Sequence, residues 1–196
     1  MLITLLVCCV SFTAAAEEKV KSVWVKADEM MAQEKYSDAV KLYSIAIEMN
    51  IDDPDIYSAY FNRAQALLYL GKVDEALADF TQTITLNPGF AGAYKWRGII
   101  YLQTNRYTDA VNDFSRFIEL DPGNPLGYAD RGAALGYLER YDKALADLTK
   151  SIEIDPGCAR CYYNRYQVLT IMGKDSEAEA DLKKAQSLDS RYKGEK

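Results

Sequence analysis

The chain has no histidine in 196 residues, which removes the commonest general base and the commonest metal ligand together. Its most chemically suggestive residues are Cys158 and Cys161, in the run Cys-Ala-Arg-Cys at the start of a predicted helix. A helix N-terminus lowers a thiol's pKa, so a C-x-x-C placed there can exchange with other thiols. The same pair can instead be a structural disulfide in an oxidising compartment, or two idle thiols. Tyr162 stands where c-type haem attachment needs a histidine. Two thiolates without further Cys or His cannot complete a zinc site. No strand pattern of the thioredoxin kind surrounds the pair. No nucleophile–base pair, Gly-rich phosphate loop or paired-carboxylate spacing stands out. The chain therefore reads as non-enzymatic, with no metal and no cofactor.

A second constellation is periodic. Arg63, Arg97, Arg131 and Arg165 recur at one spacing, and Asp79, Asp113, Asp147 and Asp181 each follow sixteen residues later. If the two positions lie on antiparallel neighbouring helices, guanidinium and carboxylate meet across the hairpin, where the Arg fork can bind the carboxylate with two hydrogen bonds. A structural ion pair is the favoured reading, and an anion-binding Arg ladder is the alternative.

The elements that would position these residues repeat with the same ruler. Asn87-Pro88-Gly89, Asp121-Pro122-Gly123 and Asp155-Pro156-Gly157 recur every 34 residues, and such a period marks an array whose units bury their apolar faces on one another. Units fall at about 20–53, 57–90, 91–124, 125–158 and 159–192, with Pro54–Ile56 read as an insertion in the first connection. Each unit reads as two helices. Tyr60, Ala64, Leu67 and Leu68 follow one helical stripe, Gly71-Lys72 breaks it, and Ala76, Leu77, Phe80 and Ile84 follow a second. Pro-Gly then stops the second helix. The first unit has Lys26 and Leu42 at the Arg and Asp positions and so lacks the pair.

Net charge is −6, with acids and bases interspersed; without a clustered basic patch, nucleic acid is not an expected partner. Residues 1–16 read as a separate object, a signal peptide. An apolar run Leu2–Val10 leads to Ala14-Ala15-Ala16, where small residues suit cleavage. Cleavage would remove Cys8 and Cys9 and place 17–196, as one solenoid domain, in the periplasm or outside the cell. A membrane association follows only if that segment is retained.

Across about residues 20–192 the units resemble the tetratricopeptide repeat family. The family's small residue of the first helix matches Ala27, Ala64, Gly98 and Gly132; its small residue of the second matches Ala39, Ala76, Ala110, Ala144 and Ala178. Its aromatic matches Tyr43, Phe80 and Phe114, with Leu148 and Leu182 in the later units, while Tyr166 occupies the small site of the fifth. The resemblance implies an all-α, right-handed α-solenoid of five antiparallel helix pairs, whose first helices line a concave groove. The residues it nominates there are Trp24, Phe61, Asn62, Gln65, Lys95, Trp96, Tyr137, Tyr163, Asn164 and Gln167, with Asp28, Tyr69, Ile99, Gln103 and Asp130 on the same face. Some members hold an acidic C-terminus with Lys, Asn, Asn, Lys and Arg; here the last three units offer Lys95, Ile99, Asp130, Arg160 and Asn164, which does not fit.

The expected function is a scaffold binding a partner peptide or protein in the groove, with aromatic anchors and Asn/Gln side chains pairing with peptide backbone. Two alternatives are self-assembly into a homo-oligomeric envelope component and a thiol–disulfide role for Cys158 and Cys161.

Overall fold

A computed structural model of the chain describes residues 19–49 and 54–192. The signal-peptide reading, Cys8 and Cys9 lie outside the described residues. Among the described residues every regular element is helical: α1 (19–32), α2 (Tyr36–Met49), α3 (Ile56–Tyr69), α4 (Val73–Leu86), α5 (Ala91–Gln103), α6 (Tyr107–Leu120), α7 (Pro125–Tyr137), α8 (Tyr141–Ile154), α9 (Ala159–Ile171) and α10 (Asp175–Leu188), followed by a 3-10 turn at Ser190–Tyr192. None of these helices is long and apolar enough to cross a membrane. The backbone forms two compact units, one ending at Pro88 and holding α1–α4, the other starting at Gly89 and holding α5–α10.

Each hairpin turns in the same way. The second residue past the first helix has positive φ in all five pairs: Glu34 (58°), Gly71 (73°), Asn105 (60°), Glu139 (58°) and Gly173 (71°). The amide of that residue and the one after it then turn back onto the helix's last carbonyls, as where Glu139 N–H donates to Gly136 at 3.0 Å and Arg140 N–H to Leu135 at 2.9 Å. This left-handed cap satisfies carbonyls that the helix end leaves open. Glycine adopts it freely, whereas glutamate adopts it at a cost of roughly 1 kcal/mol.

Packing inside each pair follows the small-residue rule. A Cβ on Gly98 would sit 2.8 Å from Phe114, and one on Gly132 would sit 2.8 Å from Leu148 and 3.2 Å from the Ala144 carbonyl oxygen. The partner at the close approach is thus the large residue sixteen positions on. Tyr43, Phe80, Phe114 and Leu148 are fully buried at that position. In the last pair Tyr166 fills the small site, and Leu182 is only half-buried.

One boundary differs from the sequence expectation. Ile56 opens α3 rather than belonging to a longer connection, and it is buried against Ile47 and Ala59. Its apolar side chain gains from burial what a loop position would not offer.

Candidate interaction site

The Arg–Asp positions meet across each hairpin. Arg63 Nε and Nη2 donate to the Asp79 oxygens at 2.7 Å each. Arg97 reaches Asp113, Arg131 reaches Asp147 and Arg165 reaches Asp181 in the same two-pronged way, at 2.7 and 2.8 Å. All four carboxylates are buried, and the paired carboxylate holds each guanidinium's pKa above its ordinary value. A third arm, Nη1, crosses to the preceding repeat: Arg63 to Ser44 at 2.9 Å, Arg131 to Ser115 at 3.1 Å and Arg165 to Thr149 at 3.1 Å. Sequence reading found the pairs and missed the hydroxyls. In the first pair, which lacks the Arg and Asp, Tyr43 Oη donates to Asp28 at 2.5 Å instead. Asp28 is therefore tied to its own hairpin.

Around Arg165 and Asp181 lies a cavity of about 310 Å³, also lined by Glu177. Its one cation is already neutralised by a buried acid, so the cavity has no charge to offer an anion.

The nominated groove residues divide into packing residues and free ones. In the first unit Trp24 is half-buried against Ile47, Ile56 and Ala59 and also against the Ala27–Tyr43 cluster. Phe61 sits edge-on to the buried Phe80 ring at 5.6 Å, and Asn62 is half-buried. Gln65 is half-buried. Tyr69 is exposed and stacks face to face on Tyr36 at 4.4 Å.

In the second unit Trp96 is half-buried beside the Lys95 ammonium, 5.9 Å from its ring. Tyr163 is flanked by Tyr166 and by Tyr192 of the terminal turn, with ring centres 5.6 and 4.7 Å away. Asp130 is nearly inaccessible, at 3% exposure, and accepts from Arg160 Nη1 at 2.6 Å. Burial raises its pKa, against the lowering pull of Arg160 and Lys95. Lys95 and Arg160 thus face a carboxylate the chain itself supplies.

Three nominated residues converge. Tyr137 on α7 with Asn164 and Gln167 on α9 line one cavity of about 180 Å³, together with Ala133, Gly136, Val168 and Ile171. Small residues on α7 open the space: Gly136 has room for a Cβ only at van der Waals distance from Val168. Val168 is buried at the base, while Tyr137 and Ile171 are 64% and 63% exposed. Tyr107 at the head of α6 stacks on the Tyr137 ring at 4.7 Å with the planes 8° apart, which holds that ring in place. Neither the Asn164 nor the Gln167 amide has a hydrogen-bond partner among the described residues. The cavity therefore combines an apolar base, a fixed aromatic rim and two amides not taken up by the chain itself, each able both to donate and to accept. Tyr107 itself was not nominated, because it belongs to a second helix and the groove face was assigned to first helices.

Comparison with known proteins gives a consistent result. A family model described as tetratricopeptide repeat matches residues 25–68 and 61–125, and a second with the same description matches 127–158. The chain is 40% identical over 74 residues to a tetratricopeptide repeat and J domain-containing co-chaperone of Cryptococcus neoformans, covering 38% of this chain and 14% of that protein. It is 39% identical over 75 residues to the Hsp70-Hsp90 organizing protein of Triticum aestivum, covering 38% of this chain and 12% of that one. The chain thus spans only a small part of the length of these relatives. Among solved structures it is similar to MamA from Desulfovibrio magneticus, with a TM-score of 0.80 at 18% identity over 87% of this chain and 94% of that one. It is also similar to YrrB, described as a TPR protein with an unusual peptide-binding site, with a TM-score of 0.77 at 20% identity over 91% and 92% of the two chains.

Proposed function

The chain belongs to the tetratricopeptide repeat family, and from that premise we propose that it is a non-enzymatic scaffold that holds an extended segment of a partner protein against α7 and α9. The carrying observation is the cavity where Tyr137, Asn164 and Gln167 meet over Val168. Its amides pair with peptide N–H and C=O groups, which any extended segment offers, and its apolar base takes one side chain. Because Tyr107 already fixes the Tyr137 ring, ordering on binding falls mainly on the ligand. The names of the relatives, a co-chaperone and an organizing protein, support a role in protein recognition.

Arg160 is bonded to the buried Asp130 carboxylate and the charge of Lys95 acts on the same group, so an acidic C-terminus would meet this carboxylate beside the two cations. The preferred segment is internal and neutral or apolar at the contact. We further propose export: the apolar run and Ala14-Ala15-Ala16 suit a leader, and a Cys158–Cys161 disulfide suits an oxidising compartment.

The test is a panel of synthetic extended peptides titrated into the full chain by fluorescence and calorimetry. Replacing Asn164 and Gln167 together with Ala is expected to weaken the best binder at least about tenfold, the loss of roughly two hydrogen bonds. Lys183→Ala on α10 serves as the control. Equal affinity in the double variant and the parent would overturn the site.

A further inference from the structure

Cys158 and Cys161 line no part of the cavity described above, and their two sulfurs are not equivalent. They are joined in a disulfide across the first turn of α9. Cys161 is fully buried, with its Sγ 3.0 Å from the Ser151 hydroxyl on α8. Cys158 is only half-buried; it caps the helix, and its Sγ accepts from the Cys161 N–H at 3.3 Å. Of the two cysteines, only Cys158 is partly open to solvent, which makes it the one an incoming thiolate can meet.

The surroundings also provide for the reduced state. A thiolate on Cys158 would keep the Cys161 N–H as a donor and would lie at the positive end of a 13-residue helix. A neutral thiol on Cys161 would find an acceptor in place, since the Ser151 hydroxyl already donates to the Pro125 carbonyl at 2.7 Å and leaves its own lone pairs free. Both products of reduction are thus satisfied without rearranging α8 or α9.

We propose that Cys158–Cys161 is an exchangeable disulfide that oxidises a protein dithiol, with Cys158 as the attacked sulfur. One partner thiolate bonds to Cys158 Sγ while the Cys158–Cys161 bond breaks, and the electron pair goes to Cys161 Sγ, which takes a proton. The partner's second thiolate then attacks the partner sulfur of the mixed disulfide. That step closes the partner's own disulfide and releases Cys158 as a thiolate. Two electrons have passed from the dithiol to this chain, and the exchange depends on approach to the half-buried Cys158. The activity is separate from peptide docking and stands or falls without it.

The experiment places the full chain in a series of reduced and oxidised glutathione mixtures, quenches by alkylation and reads each cysteine by peptide mapping. The wild-type pair is expected to pass from disulfide to dithiol within the series. Cys161→Ser should accumulate a glutathione adduct on Cys158 about tenfold or more faster than Cys158→Ser accumulates one on Cys161. A pair that stays closed in the most reducing mixture, or equal rates in the two variants, overturns the proposal. Circular dichroism reports whether the variants keep their helices. Should either unfold, the wild-type time course decides: a first adduct on Cys158 supports the assignment and one on Cys161 sinks it.

Discussion

Arg131 on α7 and Asp147 on α8 lie sixteen residues apart and share two hydrogen bonds of 2.7 and 2.8 Å, while the remaining arm of the guanidinium crosses to Ser115 on α6 at 3.1 Å. One side chain thereby links both helices of its own repeat to the second helix of the repeat before it. The same three-way link recurs at Arg63 and Arg165. An array whose units contact only their neighbours gains cooperativity from such links, because opening one repeat also removes a hydrogen bond from the next.

Removing that cation should be expensive. Arg131→Ala leaves the Asp147 carboxylate, only 8% exposed, without its counter-charge, and destabilisation of about 3 kcal/mol is expected in urea unfolding. Arg131→Lys restores the charge without the fork and should fall between the two. An unfolding midpoint for Arg131→Ala equal to that of the parent would show that the pair does not hold the hairpin.

Glu139 occupies a left-handed backbone position that Gly71 and Gly173 occupy without strain. Glu139→Gly should raise stability by about 1 kcal/mol, and Gly173→Ala should lower it by a similar amount. Thermal melts of the two variants should move in opposite directions.

At Gly132 a methyl group has nowhere to go. It would meet Leu148 Cγ at 2.8 Å and a backbone oxygen at 3.2 Å, so the gain in helix propensity is outweighed by overpacking of about 1–3 kcal/mol. Gly132→Ala should therefore unfold earlier than the parent. Pairing it with Leu148→Ala, which opens space at the contact, should recover part of the overpacking loss; strict additivity in that double-mutant cycle would place the clash elsewhere.

Asp130 sets a pH dependence of opposite sign to that of an ordinary paired carboxylate. Burial raises its folded-state pKa despite Arg160 and Lys95, so the native state binds the proton more readily than the unfolded chain does. Stability from this group is then highest in acid and falls as pH rises from the ordinary aspartate range through the raised value, after which it is constant. Asp130→Asn carries no such titration. The parent-minus-variant difference in unfolding free energy should move in the parent's favour on acidification across that window, and a flat difference would mean Asp130 titrates normally.

Much of the hairpin was legible in the residues themselves. Pro-Gly at each 34-residue interval marks where the second helices stop, and the small residues at Gly98 and Gly132 mark the close approaches to Phe114 and Leu148. The Arg–Asp spacing of sixteen is likewise a within-hairpin distance, and it is realised in four pairs. Two helices joined by a tight turn have little freedom, so local spacing decides which side chains face each other.

Contacts between successive repeats were not legible in the same way. Nothing in the chain singled out Ser44, Ser115 and Thr149 as receivers of the third Arg arm, Tyr107 as the support for Tyr137, or Arg160 as the cover over Asp130. Nor did it separate Trp24, which packs, from Tyr137, Asn164 and Gln167, which share a cavity. These relations depend on how far each hairpin is rotated and staggered against the last. That offset is set by the summed volumes of the interface side chains, a quantity no single spacing carries and only the packed structure resolves.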